Sequence, residues 1–169
     1  MESTILGAIL GAVFSYLLQL MIDQLKYARL TKFSGLWLST WQPNTDQTGI
    51  WVREKLKIQV RLGKVKITSI DNDAGYQWKG SADIIDKKYL IGRWYSVKPG
   101  AHASGTLVLA MSPEGNFMFG CFMGPTIYGQ ETMGPFALGR NENDLKDAIQ
   151  LLYKDRARLK RESVTSNES

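Results

Sequence analysis

The chain opens with a long apolar run. No charged residue occurs from Thr4 to Ile22, and a helix needs about twenty such residues to cross the hydrocarbon core of a bilayer. A secretory signal peptide would instead begin with basic residues and end at a small-residue cleavage site, whereas the only early charge here is Glu2. The pattern therefore predicts a transmembrane helix within an N-terminal segment at residues 1–32.

Basic residues follow this run and none precedes it. Lys26, Arg29 and Lys32 lie just after the apolar residues. Positive residues near a span stay on the cytoplasmic side. We therefore expect a single-pass protein of the cell inner membrane, with the rest of the chain in the cytoplasm.

Small residues recur at helical spacing in the same run. Gly7, Gly11 and Ser15 fall at every fourth position, and such a stripe lets two helices approach closely in lipid. Gly and Ala are also common in membrane spans for other reasons. We expect self-association through this stripe.

Residues 33–140 change to the alternation typical of strands. Short runs are separated by turn residues such as Asp71-Asn72-Asp73-Ala74-Gly75 and Ser112-Pro113-Glu114-Gly115. Ile50 to Arg61 alternates apolar and basic residues most clearly, and Glu54 falls on the apolar phase. The runs predict a mainly β fold, an antiparallel lipocalin-like β-barrel of about eight strands, with Glu54 pointing inward.

A helical pattern follows the barrel. Asn141 is a suitable N-cap for a helix over residues 141–162, and apolar residues recur at helical spacing after it. The pattern predicts an amphipathic helix that docks on the barrel, followed by a disordered tail at 163–169.

Composition limits the chemistry. With His102 and Cys121 as the only histidine and cysteine, a His/Cys zinc site is excluded, so we expect no metal site and no cofactor. No nucleophile and base stand out, and we expect no enzyme activity. Cys121 lies in an apolar run, which favours a buried core thiol. The net charge of +5 favours anionic surroundings.

Two resemblances rest on particular residues. Gly35-x-Trp37 on the first strand and Arg140 after the last are similar to the lipocalin and calycin pattern, in which the arginine packs across the tryptophan and closes one barrel end. The order of membrane span, Gly-x-Trp strand, Gly-rich barrel and closing Gly134-Pro135-Phe136-x-Leu138 strand resembles bacterial anti-phage effectors of the CBASS type. Those effectors join transmembrane helices to a lipocalin-like receptor barrel. The better-known members have two spans, where this chain has one.

That second resemblance implies a function. The expected protein is a membrane-anchored receptor-effector that binds a cyclic di- or trinucleotide in its barrel and oligomerises to disrupt the inner membrane; no DNA or RNA partner is expected. Bases stack on aromatic side chains and phosphates bind Arg or Lys. The candidate ligand-binding residues are Trp41, Glu54, Tyr76, Trp78, Arg93, Trp94, Tyr128 and Arg140.

Other interpretations of the same residues stay open. Trp and Tyr are ordinary core residues of barrels, and an inward Glu54 pairs equally well with an arginine as a buried ion pair. Tyr89 to Ser96 is apolar or aromatic on both phases, so the orientation of Arg93 and Trp94 is not assigned. The alternatives to a receptor are a membrane-tethered lipocalin-like carrier of an apolar ligand and a ligand-free assembly module.

Overall fold

The structure is a computed structural model of the 169-residue chain. It describes residues 11–22, 30–42, 51–61, 63–72, 75–97, 103–125 and 131–165; for Asn72 and residues 155–165 only the backbone is described.

Within these residues the chain forms a closed antiparallel barrel of eight strands, in which each strand pairs with the next and the last pairs with the first. This confirms the predicted mainly β fold with an antiparallel barrel of about eight strands. The strands are β1 (Gly35–Trp41), β2 (Val52–Arg61), β3 (Lys64–Asn72), β4 (Trp78–Ile85), β5 (Tyr89–Ser96), β6 (Ser104–Met111), β7 (Phe117–Pro125) and β8 (Glu131–Gly139).

The alternation of β2 decides its orientation. Leu56 and Ile58 are buried inside the barrel, whereas Arg53, Lys55 and Lys57 are exposed outside it. Since side chains alternate along a strand, one register of the β1–β2 and β2–β3 pairs keeps every apolar residue of β2 inside. Inward residues from all the strands fill the barrel with one apolar core.

The C-terminal helix α2 (Glu142–Thr165) docks on the outer wall. The side-chain oxygen of Asn141 accepts hydrogen bonds from the backbone N–H groups of Asn143 and Asp144, at 2.9 and 3.1 Å, as an N-cap does. Apolar residues of the helix and the strands then pack together, among them Leu145, Ala148, Ala137, Phe117 and Phe119.

The far end of α2 differs from the prediction. The helix continues to Thr165, past the boundary expected at residue 162. No Gly or Pro interrupts residues 162–165, so the backbone has no local reason to leave the helix there. Residues 166–169 lie outside the described residues.

The N-terminal segment is described in part. Residues 11–22 form a helix, α1, whose side chains are all exposed; Gly11 and Ser15 lie on it, and Gly7 lies outside the described residues. Among the helices that the structure describes, none has the length and apolar character needed to span a bilayer. A short 3-10 helix, Thr31–Phe33, leads into β1.

Candidate functional site

The two ends of the barrel differ in chemistry. At the end where β1 begins and β8 finishes, here called the closed end, Arg140 lies over Trp37. At the opposite end, here called the open end, β1 finishes and β2 begins. The segments that join strands at the open end include residues 43–50, 73–74, 98–102 and 126–130, which lie outside the described residues.

Arg140 holds the closed end together. Its guanidinium carbon lies 3.6 Å from the centre of the Trp37 ring. Nη1 donates a hydrogen bond to the Ser34 carbonyl at 2.9 Å, and Nη2 donates one to the Lys32 carbonyl. The Trp37 indole N–H in turn donates to the Phe33 carbonyl at 2.9 Å. This is the arrangement that the lipocalin-like pattern implies, and it ties the segment before β1 to the end of β8.

Burial and a neighbouring carboxylate shift the pKa of Arg140 in opposite directions. Desolvation by burial lowers the pKa of its guanidinium, and the nearby Asp144 carboxylate partly opposes that shift. Its hydrogen bonds go to backbone carbonyls. Arg140 is therefore a structural side chain at the closed end.

A cavity of about 50 Å³ lies inside the barrel toward the open end. Aromatic side chains from five strands form most of its wall, and that wall is almost entirely apolar. Several of the rings meet edge to face, as in the pair Trp41 and Phe122 with centroids 5.5 Å apart. The lining residues are Trp41, Glu54, Tyr76, Trp78, Trp94, Leu107, Phe122 and Phe136.

Glu54 is the acidic residue of this wall. Its side chain is buried, as the alternation of β2 predicted. It accepts hydrogen bonds from the Trp78 indole N–H at 2.8 Å and from the hydroxyls of Ser39 and Ser69, at 3.1 and 3.2 Å. Neutral donors from three different strands thus fix the carboxylate at one side of the cavity.

Tyr76 places a phenol close to that carboxylate. Desolvation by burial raises the pKa of Tyr76, a hydrogen bond with Ser96 lowers it, and the negative charge of Glu54 raises it further. The net shift is upward, so the phenol keeps its proton at neutral pH and remains a hydrogen-bond donor.

The indole of Trp41 forms another part of the cavity wall. Its indole N–H is buried and has no hydrogen-bond partner in the part of the chain that the structure describes. Most buried polar groups are paired, and an unpaired donor costs about 1–3 kcal/mol. An acceptor atom inside the cavity would relieve that cost.

Trp94 is held on the inner wall by its neighbours. Its indole N–H donates to the Met123 carbonyl at 3.1 Å. A Cβ atom at Gly124 would overlap the Trp94 ring, so the absence of a side chain at Gly124 makes room for the indole. This resolves the orientation that the two-sided apolar pattern of β5 left open.

Two predicted ligand residues do not reach the cavity. Arg93 is exposed on the outer wall, because it alternates with the inward-facing Trp94 on β5. Arg140 lies at the closed end. Tyr128 falls outside the described residues. The structure brings together the other five, Trp41, Glu54, Tyr76, Trp78 and Trp94.

The structure adds residues that the sequence did not single out. Phe122 and Phe136 line the cavity, and Ser39 and Ser69 hold Glu54. The pairing of Ser39 with Glu54 across β1 and β2 explains the serine. The register of β1 against β2 is needed to predict that Ser39 contacts Glu54, because the residue types alone do not indicate the contact.

Cys121 differs from its prediction. It is half-buried rather than a core thiol, since β7 sends Met118 and Phe122 inward and Cys121 outward. Burial raises the pKa of the Cys121 thiol.

The described residues contain no group of His, Cys, Asp and Glu side chains able to hold a metal ion.

A second cavity, of about 150 Å³, lies between the β1–β2 wall and the start of α2. Exposed charged residues line much of it, including Arg53 and Glu142, which contact each other at 3.5 Å. This second cavity lies at the junction between the helix and the barrel and is lined largely by charged residues, whereas the inner cavity is lined largely by aromatic residues.

The size of the inner cavity limits what it encloses. Sites that enclose a drug-sized ligand usually measure about 300–1,000 Å³, and an engineered cavity of about 150 Å³ binds benzene. At about 50 Å³, this cavity accepts the edge of one ring. The rest of a larger ligand would lie outside the cavity.

Comparison with known proteins supports the fold alone. Neither a protein-family model nor a curated protein matches the chain. Two solved barrels are similar in structure: a redesigned β-barrel, mFAP1, bound to DFHBI, and a fluorescence-activating β-barrel designed de novo. Their TM-scores are 0.51 and 0.50, each at 16% identity over 66% of this chain and 98% and 96% of theirs. The chain thus has the architecture of a small closed β-barrel.

Proposed function

We propose that this protein is a membrane-anchored receptor whose barrel binds the edge of a planar heteroaromatic ring. The observation that carries the proposal is an aromatic cavity lined by Glu54 and by Trp41, whose indole N–H has no hydrogen-bond partner among the described residues. The aromatic walls supply stacking faces, Trp41 supplies a donor, and Glu54 supplies an acceptor.

This chemistry favours a ring with both a hydrogen-bond acceptor and an N–H donor on its edge. Nucleobases have both, and a purely apolar chain has neither. A fatty acid would either bring its carboxylate close to the like charge of Glu54 or insert its alkyl chain and leave the Trp41 donor unpaired.

A cyclic oligonucleotide is the ligand that the resemblance to anti-phage effectors suggests. The geometry supports a particular form of that idea, in which one base enters the cavity. No Lys or Arg is found among the described residues that line the cavity, so the phosphates would remain outside the barrel. The cyclic backbone would then lie across the open end.

Membrane attachment belongs to the same proposal. The chain enters the barrel at the closed end, through the 3-10 helix before Gly35. An N-terminal anchor would therefore hold the closed end near the inner membrane and leave the open end accessible from the cytoplasm. Ligand-driven oligomerisation that disrupts the membrane would make the protein an effector of anti-phage defence.

The binding test uses the full chain in detergent. We expect a cyclic di- or trinucleotide to raise the melting temperature, because a ligand that binds only the folded state stabilises it by mass action. Tryptophan emission should change as a base enters. Trp41→Phe, which removes the N–H and keeps a ring, should weaken binding about 5- to 150-fold, the loss expected for about 1–3 kcal/mol.

Trp51→Phe is the matched control for that variant. Trp51 contacts Tyr153 of α2, with ring centroids 6.2 Å apart, and does not line the cavity. It should leave binding unchanged. Equal losses in the two variants would contradict a specific role for the Trp41 donor.

A carrier of an apolar ligand is the second candidate, and one observation favours it. The wall of the cavity is nearly all apolar, without a cation among its described lining residues. Fatty acids that raise the melting temperature, while a panel of cyclic oligonucleotides does not, would replace the receptor proposal with the carrier.

The anchor has separate tests. A reporter fused to the C-terminus should be active in the cytoplasm, and periplasmic activity would contradict the orientation. Gly11→Leu should weaken oligomers in detergent without unfolding the barrel, because a bulky side chain keeps the helices apart. Unchanged oligomers would assign assembly to the barrel.

A further inference from the structure

Outward-facing lysines cover one side of the barrel. β2, β3 and β4 are adjacent in the sheet, and their outward positions alternate with the core residues. Thr68 lies at the centre of this surface, paired with Lys57 on one side and Lys79 on the other. We call this surface the basic wall; apart from Arg53, which pairs with Glu142, its exposed cations are Lys55, Lys57, Arg61, Lys64, Lys66 and Lys79.

Few carboxylates offset these charges. Asp83 pairs with Lys64 at 2.6 Å, and Asp71 is cross-strand to Lys55. The remaining cations of the basic wall are close enough to one another to produce a positive surface potential.

The opposite side of the barrel has a different character. On β5 to β8 the exposed outward residues include Ile91, Val108, Met123 and Met133, with exposed fractions of 44, 41, 50 and 53%. The described outward residues of β5 to β8 include one exposed basic residue, Arg93, so positive charge is concentrated on the side formed by β2 to β4.

We propose that the basic wall lies against the anionic headgroups of the membrane that holds the N-terminal segment. The chain reaches the barrel at the edge of this wall, where Gly35 pairs with Ile58 and Leu36 pairs with Lys57. Leu36 is itself 65% exposed. The inference rests on the membrane attachment in the proposed function, but not on the ligand.

An anionic bilayer fits the wall better than a nucleic acid does. The outward residues of β2 to β4 in the described chain include no aromatic side chain, so unpaired bases have nothing on which to stack. Lysine predominates over arginine, whose planar fork is the usual reader of base edges. Dispersed lysines suit the smeared charge of a lipid surface.

The test compares two labelled positions in the full chain. In a Cys121→Ser background, Thr68→Cys places a fluorophore on the basic wall and Thr106→Cys places one on the opposite side. The chain is bound to phosphatidylcholine vesicles with or without phosphatidylserine, and a nitroxide on the lipid headgroups quenches by contact. Sedimentation of the vesicles reports attachment separately.

We expect stronger quenching at Thr68→Cys than at Thr106→Cys, and only with phosphatidylserine. The difference should shrink at about 1 M salt, where the Debye length falls from about 10 Å to about 3 Å. Lys57→Gln, Lys66→Gln and Lys79→Gln together should abolish it, since each lysine near an anionic surface contributes about fivefold. Lys146→Gln and Lys154→Gln, at exposed positions of α2, should not.

Each outcome decides between the proposals. A chain that does not sediment with vesicles refutes the attachment and this inference together. A chain that sediments but shows equal quenching at both positions refutes this inference alone. Binding of a duplex or single-stranded oligonucleotide that the triple Gln variant loses, without selective quenching by vesicles, would assign the wall to nucleic acid instead.

Discussion

Replacing Arg140 should weaken the fold without affecting the cavity. Arg140→Gln removes the guanidinium from the Trp37 ring and from the carbonyls of Ser34 and Lys32. Hydrogen bonds made by a charged group contribute about 1.5–3 kcal/mol each, and an exposed cation over a ring contributes about 0.5–1 kcal/mol. Because the site is partly open to water, both contributions are smaller than these values. We therefore expect the free energy of unfolding to fall by about 3 kcal/mol in total.

That loss converts to a measurable shift. For a chain of this size each kcal/mol moves the melting temperature by about 2–4 °C, so Arg140→Gln should lower it by about 6–12 °C. Arg140→Lys should lose less, because it keeps the charge but not the fork. Arg93→Gln is the matched control: Arg93 is exposed, and the expected effect lies within about 0.5 kcal/mol.

A double-mutant cycle isolates the ring contact. Trp37→Phe alone also loses the hydrogen bond to the Phe33 carbonyl, so only the coupling between Trp37→Phe and Arg140→Gln reports the stacked pair. We expect a coupling of about 0.5–2 kcal/mol.

Ligand binding separates the two roles proposed for Arg140. Measured well below the melting temperature, affinity for the cyclic oligonucleotide should change less than twofold in Arg140→Gln. An unchanged melting temperature would refute the structural role, and a loss of affinity as large as that of Trp41→Phe would return Arg140 to the binding site.

Three further predictions concern the cavity and the thiol. Glu54→Gln should keep the melting temperature and weaken ligand binding. Glu54→Leu leaves the Trp78 N–H unpaired and should lower the free energy of unfolding, measured by thermal denaturation, by about 1–3 kcal/mol. Equal stability of the two variants would contradict the role of this hydrogen bond. Gly124→Ala should displace Trp94, costing about 1–3 kcal/mol and altering tryptophan emission, and an unaltered spectrum would count against the close contact. Cys121 should react with iodoacetamide more slowly in the folded than in the denatured chain, because burial raises the pKa of its thiol in the folded state. The thiol of the unfolded chain therefore ionises at a lower pH than that of the folded chain, so the stability that Cys121 contributes should be lost as pH rises above about 9. Equal reactivity in both states would refute this prediction.

The sequence predicted the features that depend on local alternation. The phase of β2 was enough to place Glu54 inside, because a single strand with one apolar and one basic face has one possible orientation in a barrel. The pairing of Trp37 with Arg140 was accessible through the lipocalin-like pattern, and the cap at Asn141 through local helix chemistry.

Features that depend on packing between strands were not predictable. β5 and β7 have apolar residues on both faces, so periodicity could not place Trp94 inside, Arg93 outside or Cys121 on the outer wall. The outer face of β7 is apolar at Phe117 and Phe119 because α2 covers it there. A strand that is buried on one face by the core and on the other by a helix has no periodicity to indicate which face is which.

The separation of the two ends limits how a ligand signal could reach the membrane. Arg140 ties the closed end to the segment before β1, whereas the cavity lies toward the open end, on the far side of a packed core. A close-packed core resists small displacements. Binding of a ring edge near Trp41 is therefore not expected to shift the N-terminal segment through the core. In the proposed effector, the ligand-dependent part of assembly would therefore follow from surfaces that the ligand completes at the open end, whereas the N-terminal helices would contribute the ligand-independent contacts that Gly11→Leu tests.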